Sequence, residues 1–327
     1  MSPREPVVVT NELTKKYGAF LALDGLSLAV DRGQILGFIG PNGAGKTTTI
    51  KILVGLARPT SGTASIAGAD CVREARRIKR LVGYLPDTFG SYDNMRVREY
   101  LDFFGAAFGM PRPERIRRID EVLDTTGSAY MKDNYVESLS HGMRQRVGVA
   151  RTLLHDPPVL ILDEPANGLD PQARIEMREL LLRLAETGKT LLVTSHILPE
   201  LSRICHRVAI ITKGRLRAFG TLDEITRRVR QVRTIEVLLT RPDQIDLAAR
   251  VIRAGIEPGM EVMSAPAECT VRFHTGKREE ELAGVLTALV SAAVVVTQFR
   301  EVQTDLEDAF MTVAKLAEDE VVAALDS

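Results

Sequence analysis

Cysteine is scarce in this sequence, and long hydrophobic runs are missing from it. The three cysteines, Cys71, Cys205 and Cys269, lie far apart, which favours a reduced chain over a disulfide scaffold or a zinc site. The longest nearly apolar run, Leu286–Thr297, has 12 residues, whereas a membrane-spanning helix needs about 20. The N-terminal residues also lack the apolar segment of a secretory signal. We therefore expect no transmembrane segment.

The chain also has no net charge, because 43 Lys and Arg residues balance 43 Asp and Glu residues. No overall positive field attracts the chain to nucleic acid or to an anionic membrane, and we expect no nucleic-acid partner. Hydrophobic residues make up 45% and charged residues 26% of the sequence, as in globular proteins. A length of 327 residues accommodates two or three domains.

Short apolar runs alternate with amphipathic stretches over roughly the first 225 residues, which predicts an α/β domain. The region 96–151 is mostly helical in pattern, with breaks at 110–113 and 138–140, and we interpret it as a helical insertion. The other predicted elements of this domain are strands at Gln34–Ile39, Val159–Leu162 and Thr190–Thr194 and a helix at Thr47–Leu56.

The pattern changes after the polar, basic segment 226–233, which is either a linker or the end of a basic helix. Beyond it, residues 234–327 predict a small α+β domain with the order β-α-β-β-α-β, which is ferredoxin-like, and a final helix. The predicted strands are Thr234–Leu239, Glu261–Ser264, Thr270–Phe273 and Ala293–Phe299, and the predicted helices are Asp243–Ala254, Lys277–Ser291 and Asp305–Ala317.

The most specific local signal is a glycine-rich segment, Gly40–Thr48, which we call the phosphate loop. It fits the pattern G-x-x-x-x-G-K-[ST] and lies between a predicted strand and a predicted helix. Such glycines let backbone N–H groups surround phosphate oxygens, and the following helix directs its positive end at them. We expect Lys46 to reach the β- and γ-phosphates and the Thr47 hydroxyl to ligate Mg²⁺.

Two adjacent carboxylates, Asp163 and Glu164, follow the apolar strand Val159–Leu162 directly. Buried unpaired charge is costly, and open α/β sheets bind ligands at the carboxyl ends of their strands. We expect Asp163 to hold Mg²⁺ through water and Glu164 to polarise an attacking water. Taken alone, the pair is equally well explained as a solvated acidic turn, but the phosphate loop favours the first interpretation.

Together with four further segments, these motifs resemble an ATP-binding-cassette (ABC) ATPase over roughly residues 6–225. Leu139–Arg146 resembles the family signature, and Asn167–Asp170 resembles the D-loop that follows the acidic pair. His196 resembles the switch histidine, and Tyr17 resembles the aromatic residue that stacks on adenine. The implied fold is a P-loop NTPase ABC nucleotide-binding domain with a helical subdomain at about residues 90–155.

The resemblance implies a homodimer in which two copies face each other head to tail. Each ATP then lies between the phosphate loop of one copy and the signature of the other. The implied catalytic residues are Lys46, Glu164 and His196, and the implied Mg²⁺ ligands are Thr47, Asp87 and Asp163. The implied ATP-binding residues are Tyr17, Gly40, Asn42, Gly43, Gly45, Lys46, Thr47, Thr48, Ser140, Gly142 and Asp170.

The sequence departs from the family pattern at three positions. Asp87 stands where the family usually has Gln, and because a carboxylate still ligates Mg²⁺ or its water, we expect activity to survive. His141 and Met143 stand where Gly and Gln are common. We expect His141 either to face solvent or to add positive charge, with the first option favoured because His is largely neutral at pH 7.

The end of the chain narrows the resemblance, because Asp305–Phe310 resembles the tail of drug-resistance ATPases of type-2 ABC exporters. This implies an integral membrane permease on a separate chain, a location on the cytoplasmic face of the cell membrane, and a permease contact near Phe89–Val97. Two other functions remain open at this point. One is an ABC ATPase that acts on the ribosome or nucleic acid, and the other is a regulatory ATP-binding module with little turnover.

Overall fold

The computed structural model describes residues 6–87, 90, 94–195, 201, 203–229 and 233–302. The chain divides into two compact units between Leu222 and Asp223. Within the described ranges, no helix combines the length and the apolar character that crossing a bilayer requires.

The first unit is built around a six-stranded sheet, in which every pairing is parallel except the one between β9 and β10. The central strands β3 and β7 are buried at every residue, as expected for parallel strands covered on both faces. In spatial order the strands are β10 (Arg215–Gly220), β9 (Arg207–Thr212), β3 (Ile35–Ile39), β8 (Thr190–Ser195), β7 (Val159–Leu162) and β6 (Val82–Leu85). The three strands predicted for this domain are therefore confirmed.

A second, antiparallel sheet of four strands lies in the same unit and was not predicted from the sequence. The pairing of its two long strands has several register shifts, so apolar and polar residues do not alternate regularly along them. Leu13 and Leu26 face each other in this sheet and are fully buried. In spatial order the strands are β2 (Phe20–Asp31), β1 (Pro6–Tyr17), β4 (Ser61–Ile66) and β5 (Ala69–Asp70).

In the described part of the first unit, six α-helices connect these strands, and three of them form the predicted helical insertion between β6 and β7. The helix predicted at Thr47–Leu56 is shorter and ends at Leu53, because Gly55 adopts a φ of +74° that closes the C-terminal turn. The helices are α1 (Lys46–Leu53), α2 (Ala75–Leu81), α3 (Val97–Ala107), α4 (Arg112–Thr125), α5 (His141–Leu153) and α6 (Pro171–Glu186).

Beyond the helix Leu222–Val229, the described residues of the second unit have the element order β-α-β-β-α-β, as predicted. The last of these strands begins three residues later than predicted, because Ala293 adopts a φ of +58° in the turn that follows the helix. The predicted helix Asp305–Ala317 lies outside the described residues. After the boundary helix α7 (Leu222–Val229) come β11 (Arg233–Leu239), α8 (Ile245–Gly255), β12 (Val262–Ala265), β13 (Thr270–Thr275), α9 (Glu279–Ser291) and β14 (Val296–Val302).

The sheet of the second unit is antiparallel, with the spatial order β12-β13-β11-β14. One face of β11 presents Ile235 and Val237 to the hydrophobic core. The other face carries Glu236, which is only 7% exposed. Its carboxylate accepts hydrogen bonds from Arg300 at 2.6 Å and from Arg272 at 2.7 Å. These bonds hold the pKa of Glu236 below its usual range, so a charged cluster ties three neighbouring strands together.

Replacing Glu236 with Gln is expected to destabilise the chain by about 1 kcal/mol near pH 7, because both arginines lose an ionised partner. A folded-state pKa below the unfolded value gives stability that is present above the unfolded pKa and is lost as the pH falls through the folded one. The difference between wild type and Glu236→Gln should therefore shrink in acid. Urea unfolding of the full chain at several pH values measures it.

The matched control is Glu268→Gln, since Glu268 is exposed on the same unit. This variant should unfold like wild type at every pH. A Glu236→Gln penalty that stays constant from neutral to acidic pH would contradict the electrostatic account of the cluster.

Candidate functional site

The phosphate loop connects β3 to α1, and close packing requires glycine at two of its positions, Gly40 and Gly45. Gly45 precedes α1 with a φ of +108°, a conformation that favours glycine. A Cβ at Gly45 would lie 2.8 Å from the carbonyl oxygen of Ala22, and one at Gly40 would lie 2.3 Å from that of Ile211. The loop thus leads directly into the N-terminus of α1, where unpaired backbone N–H groups favour anions.

Lys46 is the first residue of α1 and is 7% exposed. Its Nζ donates to the carbonyl oxygen of Gly40 at 2.5 Å and to that of Pro41 at 3.3 Å. Burial lowers the pKa of Lys46, whereas the negative charges of Glu164 and Asp163 oppose this shift. The loop therefore holds an ammonium group beside its own backbone and close to both predicted carboxylates.

Asp163 and Glu164 follow the end of β7, and Thr194 of the neighbouring strand β8 binds both. The Thr194 hydroxyl donates to Oδ1 of Asp163 at 2.6 Å and accepts from the backbone N–H of Glu164 at 2.9 Å. Burial raises the pKa of Asp163, and the hydrogen bond from Thr194 opposes the rise. Glu164 has a φ of +51°, a sparsely populated conformation of the kind that recurs at functional sites.

These groups meet in one cleft of about 240 Å³. It brings together the phosphate loop, Asp87, Asp163 and Glu164, as the sequence predicts. Phe20, which is 61% exposed, also lines the cleft, whereas the predicted Tyr17 does not. The two aromatic residues pair across the turn between β1 and β2. The described residues that line the cleft are Phe20, Ala22, Pro41, Asn42, Gly43, Ala44, Gly45, Lys46, Thr47, Thr48, Asp87, Asp163 and Glu164.

The predicted signature residues lie at the start of α5 and do not line this cleft. Ser140 caps α5, and its Oγ accepts from the backbone N–H of Met143 at 3.3 Å. Gly142 packs against the first turn of α6, where a Cβ on Gly142 would lie 3.3 Å from that of Ala173. Asp170 caps α6 by accepting from the backbone N–H of Ala173 at 2.8 Å. The N-termini of α5 and α6 therefore lie together.

Two predicted features cannot be compared with the structure, because they lie wholly or largely outside the described residues. One is His196, and the other is the segment Phe89–Val97, of which only Gly90 and residues 94–97 are described. Asp87, just before that segment, lines the cleft, and its carboxylate accepts from Nδ2 of Asn167 at 3.4 Å.

Comparison with known proteins agrees with this geometry. The ABC transporter family matches residues 23–167, which carry the phosphate loop and the acidic pair. The bacitracin transport ATP-binding protein of Bacillus licheniformis is 41% identical over 226 residues, covering 69% of this chain and 73% of that protein. The chain belongs to the ABC transporter family. The resemblance seen in the sequence, to an ATP-binding subunit of that family, is confirmed.

Two further relatives place this ABC chain among ATP-binding proteins. The Nod factor export ATP-binding protein I of Ralstonia nicotianae is 40% identical over 220 residues, with coverage of 67% of this chain and 68% of that protein. An uncharacterised ABC transporter ATP-binding protein of Synechocystis is 42% identical over 228 residues. The chain spans 64% of the length of this Synechocystis relative, and the match covers 67% of the chain.

Solved structures confirm the α/β ABC fold. The ATP-binding subunit of an ABC transporter is 33% identical, with a TM-score of 0.62, and the match covers 68% of this chain and 92% of that structure. A dimeric bacterial ABC transporter cassette is 25% identical, with a TM-score of 0.60, and the match covers 66% of this chain and 98% of that structure. The matched region therefore covers nearly the whole of each solved structure.

Thr194→Val is expected to weaken the ABC site, because it leaves the N–H of Glu164 and the carboxylate of Asp163 without their shared partner. A buried group that loses its partner costs about 1–3 kcal/mol. Nucleotide affinity should fall severalfold, and the urea midpoint should fall as well. Titration with a fluorescent ATP analogue, together with urea unfolding, measures both effects.

Thr190→Val is the matched control, since Thr190 is equally buried on β8 but accepts from Gly33 at the other end of the strand. It should lower stability without changing nucleotide affinity. If the two variants bind the analogue equally well, Thr194 does not organise the site.

Proposed function

We propose that this chain is the ATPase subunit of an exporter, which binds and hydrolyses ATP to drive transport through a separate membrane permease. The observation that carries the proposal is the cleft that joins the phosphate loop to Asp163 and Glu164. Phosphoryl transfer depends mainly on positioning and on stabilisation of charge. The cleft supplies both, with an ammonium group, a helix N-terminus and two carboxylates.

ATP binds with its phosphates along the phosphate loop. Backbone N–H groups of the loop and of the first turn of α1 receive the phosphate oxygens, and Lys46 leaves its contact with Gly40 to meet them. Burial disfavours the charged form of Lys46 even with Glu164 and Asp163 nearby, and a phosphate anion supplies further negative charge that favours it. The exposed ring of Phe20 at the cleft, together with Tyr17, offers an apolar surface to the adenine.

The residues of the cleft fit Mg²⁺. Mg²⁺ prefers oxygen ligands and is commonly held by one or two carboxylates together with substrate phosphates and waters. Thr47, Asp87 and Asp163 supply a hydroxyl and two carboxylates that line the same cleft. The described ranges hold no cluster of three or more His, Cys, Asp or Glu side chains suited to a metal, so these residues would hold the ion jointly with the nucleotide. Bound there, Mg²⁺ neutralises phosphate charge.

Glu164 orients and polarises the water that attacks the γ-phosphate. Its backbone N–H is bonded to Thr194, and the residue lines the cleft. Asp163, which is 6% exposed, is bound by the same hydroxyl and stays beside the phosphates. We assign to His196 the role of holding the γ-phosphate and the water.

The active form is a homodimer. Ser140 and Gly142 lie at the N-terminus of α5, outside the cleft of their own chain, so a second copy is needed to place a signature against the bound ATP. The structural similarity to a dimeric ABC cassette supports this arrangement. ATP then joins two copies, and hydrolysis removes the phosphate group that links them.

Export is favoured over the alternatives because of the names of the relatives. Two of them are ATP-binding proteins of Nod factor export and of bacitracin transport, and a third is a probable multidrug ABC transporter ATP-binding protein of Escherichia coli, of which the match covers 39%. We place the chain on the cytoplasmic face of the cell membrane, bound to an integral membrane permease. Intact Lys46 and Glu164 argue against a module with little turnover.

Glu164→Gln is expected to lower ATP hydrolysis at least about 100-fold, because an amide does not act as a general base. The variant should still bind Mg-ATP and should accumulate as a closed dimer. Phosphate release measures the first effect, and light scattering after gel filtration with and without Mg-ATP measures the second.

The matched control is Glu179→Gln on the exposed side of α6, which should hydrolyse ATP like wild type and remain monomeric after turnover. Unchanged hydrolysis in Glu164→Gln would move the catalytic base to another residue.

A further inference from the structure

His141, where the family commonly has glycine, does more than face solvent. Its side chain is exposed, yet its Nε2 lies 2.9 Å from the carbonyl oxygen of Asn167 in the D-loop. Because a carbonyl oxygen only accepts, Nε2 carries the proton and donates. The ring also covers Gly168, where a Cβ would lie 3.4 Å from Nε2. The first residue of the signature helix is thus bonded to the D-loop of the same chain.

Asn167 connects this contact to the catalytic turn. Its backbone N–H donates to the carbonyl oxygen of Glu164 at 3.1 Å, and its side chain donates to Asp87 at 3.4 Å. The peptide groups of Asn167 therefore join His141 on one side to Glu164 on the other.

Other contacts hold the N-terminal turns of α5 and α6 together. Gly142 packs on Ala173, and Arg146 of α5 forms an ion pair with Glu176 of α6. These contacts are made by the bodies of the helices. Gly142 also lies close to the Leu169 side chain of the D-loop, whereas the hydrogen bond from His141 reaches Asn167, whose N–H is bonded to Glu164.

We propose that His141 is a positioning residue that links the signature of each copy to the Glu164 turn of that same copy. The inference rests on the proposed dimeric ATPase. In that dimer, Ser140 contacts the ATP held by the partner, whereas Glu164 acts on the ATP held by its own chain. His141 then couples the two ATP sites, because a shift of the signature is transmitted to the catalytic turn.

The test compares His141→Leu, which keeps bulk but has no donor, with His141→Gln, whose amide N–H can still reach a carbonyl. In His141→Leu we expect kcat to fall about fivefold, as for one lost hydrogen bond. KM for ATP should change less than about twofold, and the Hill coefficient should fall towards one. His141→Gln should recover most of both losses, and neither variant should change the thermal midpoint appreciably.

A second readout needs neither a dimer nor turnover. In the nucleotide-free protein, His141→Leu should speed hydrogen exchange of the Asn167 amide about fivefold, while amides in the middle of α5 exchange as in wild type. His141→Gln serves as the matched control and should exchange like wild type.

The outcomes separate this proposal from the proposed function. The role of His141 would be overturned if His141→Leu kept the wild-type kcat, Hill coefficient and hydrogen-exchange rate of the Asn167 amide. It would also be overturned if His141→Gln were as impaired as His141→Leu. If the wild-type protein does not hydrolyse ATP while exchange still responds, the ATPase function fails and the link between His141 and the D-loop stands.

Discussion

The parallel register of three strands determines the rest of this site. β3 pairs with β8 so that Ile39 lies opposite Ser195, and β7 pairs with β8 so that Leu162 lies opposite Val193. The carboxyl ends of the three strands therefore meet at one edge of the sheet, where a ligand can bind. At this edge Thr194 can reach the two residues that follow β7, and the phosphate loop begins directly after β3. A shift of one residue would turn Thr194 to the opposite face.

Burial at this edge of the sheet disfavours the charged forms of two side chains, which a bound nucleotide and its cation would favour. The pKa of Lys46 is lowered and that of Asp163 is raised, in both cases mainly by burial, so the charged form of each group is disfavoured before a ligand arrives. A nucleotide with its cation supplies charges of the opposite sign to both. The signature, however, lies at another helix terminus outside the cleft. In the proposed dimer, one chain carries two separate halves of a site, and a second copy brings complementary halves together.

The sequence predicts the residues that stand at the ends of short apolar strands, because the chemistry and the spacing are local. The phosphate loop and the acidic pair were found in this way. The position of Phe20 at the cleft was not, since it depends on an antiparallel sheet whose irregular register hides any alternation in β1 and β2. The bond between His141 and Asn167 joins residues 26 positions apart, and only the packing of α5 on α6 reveals it. Glu236 was missed for the same reason, because its two arginines come from other strands.

The central claim is that one ATP lies between the phosphate loop of one copy and the signature of another, and a cysteine cross-link tests it most directly. The background for both chains carries Glu164→Gln and has Cys71, Cys205 and Cys269 replaced by alanine. One chain then receives Asn42→Cys, and the other receives Ser140→Cys. When the two chains are mixed, a disulfide-linked dimer should form with Mg-ATP, and little of this dimer should form without Mg-ATP. Equal cross-linking with and without Mg-ATP, or an intramolecular disulfide when one chain carries both cysteines, would contradict it.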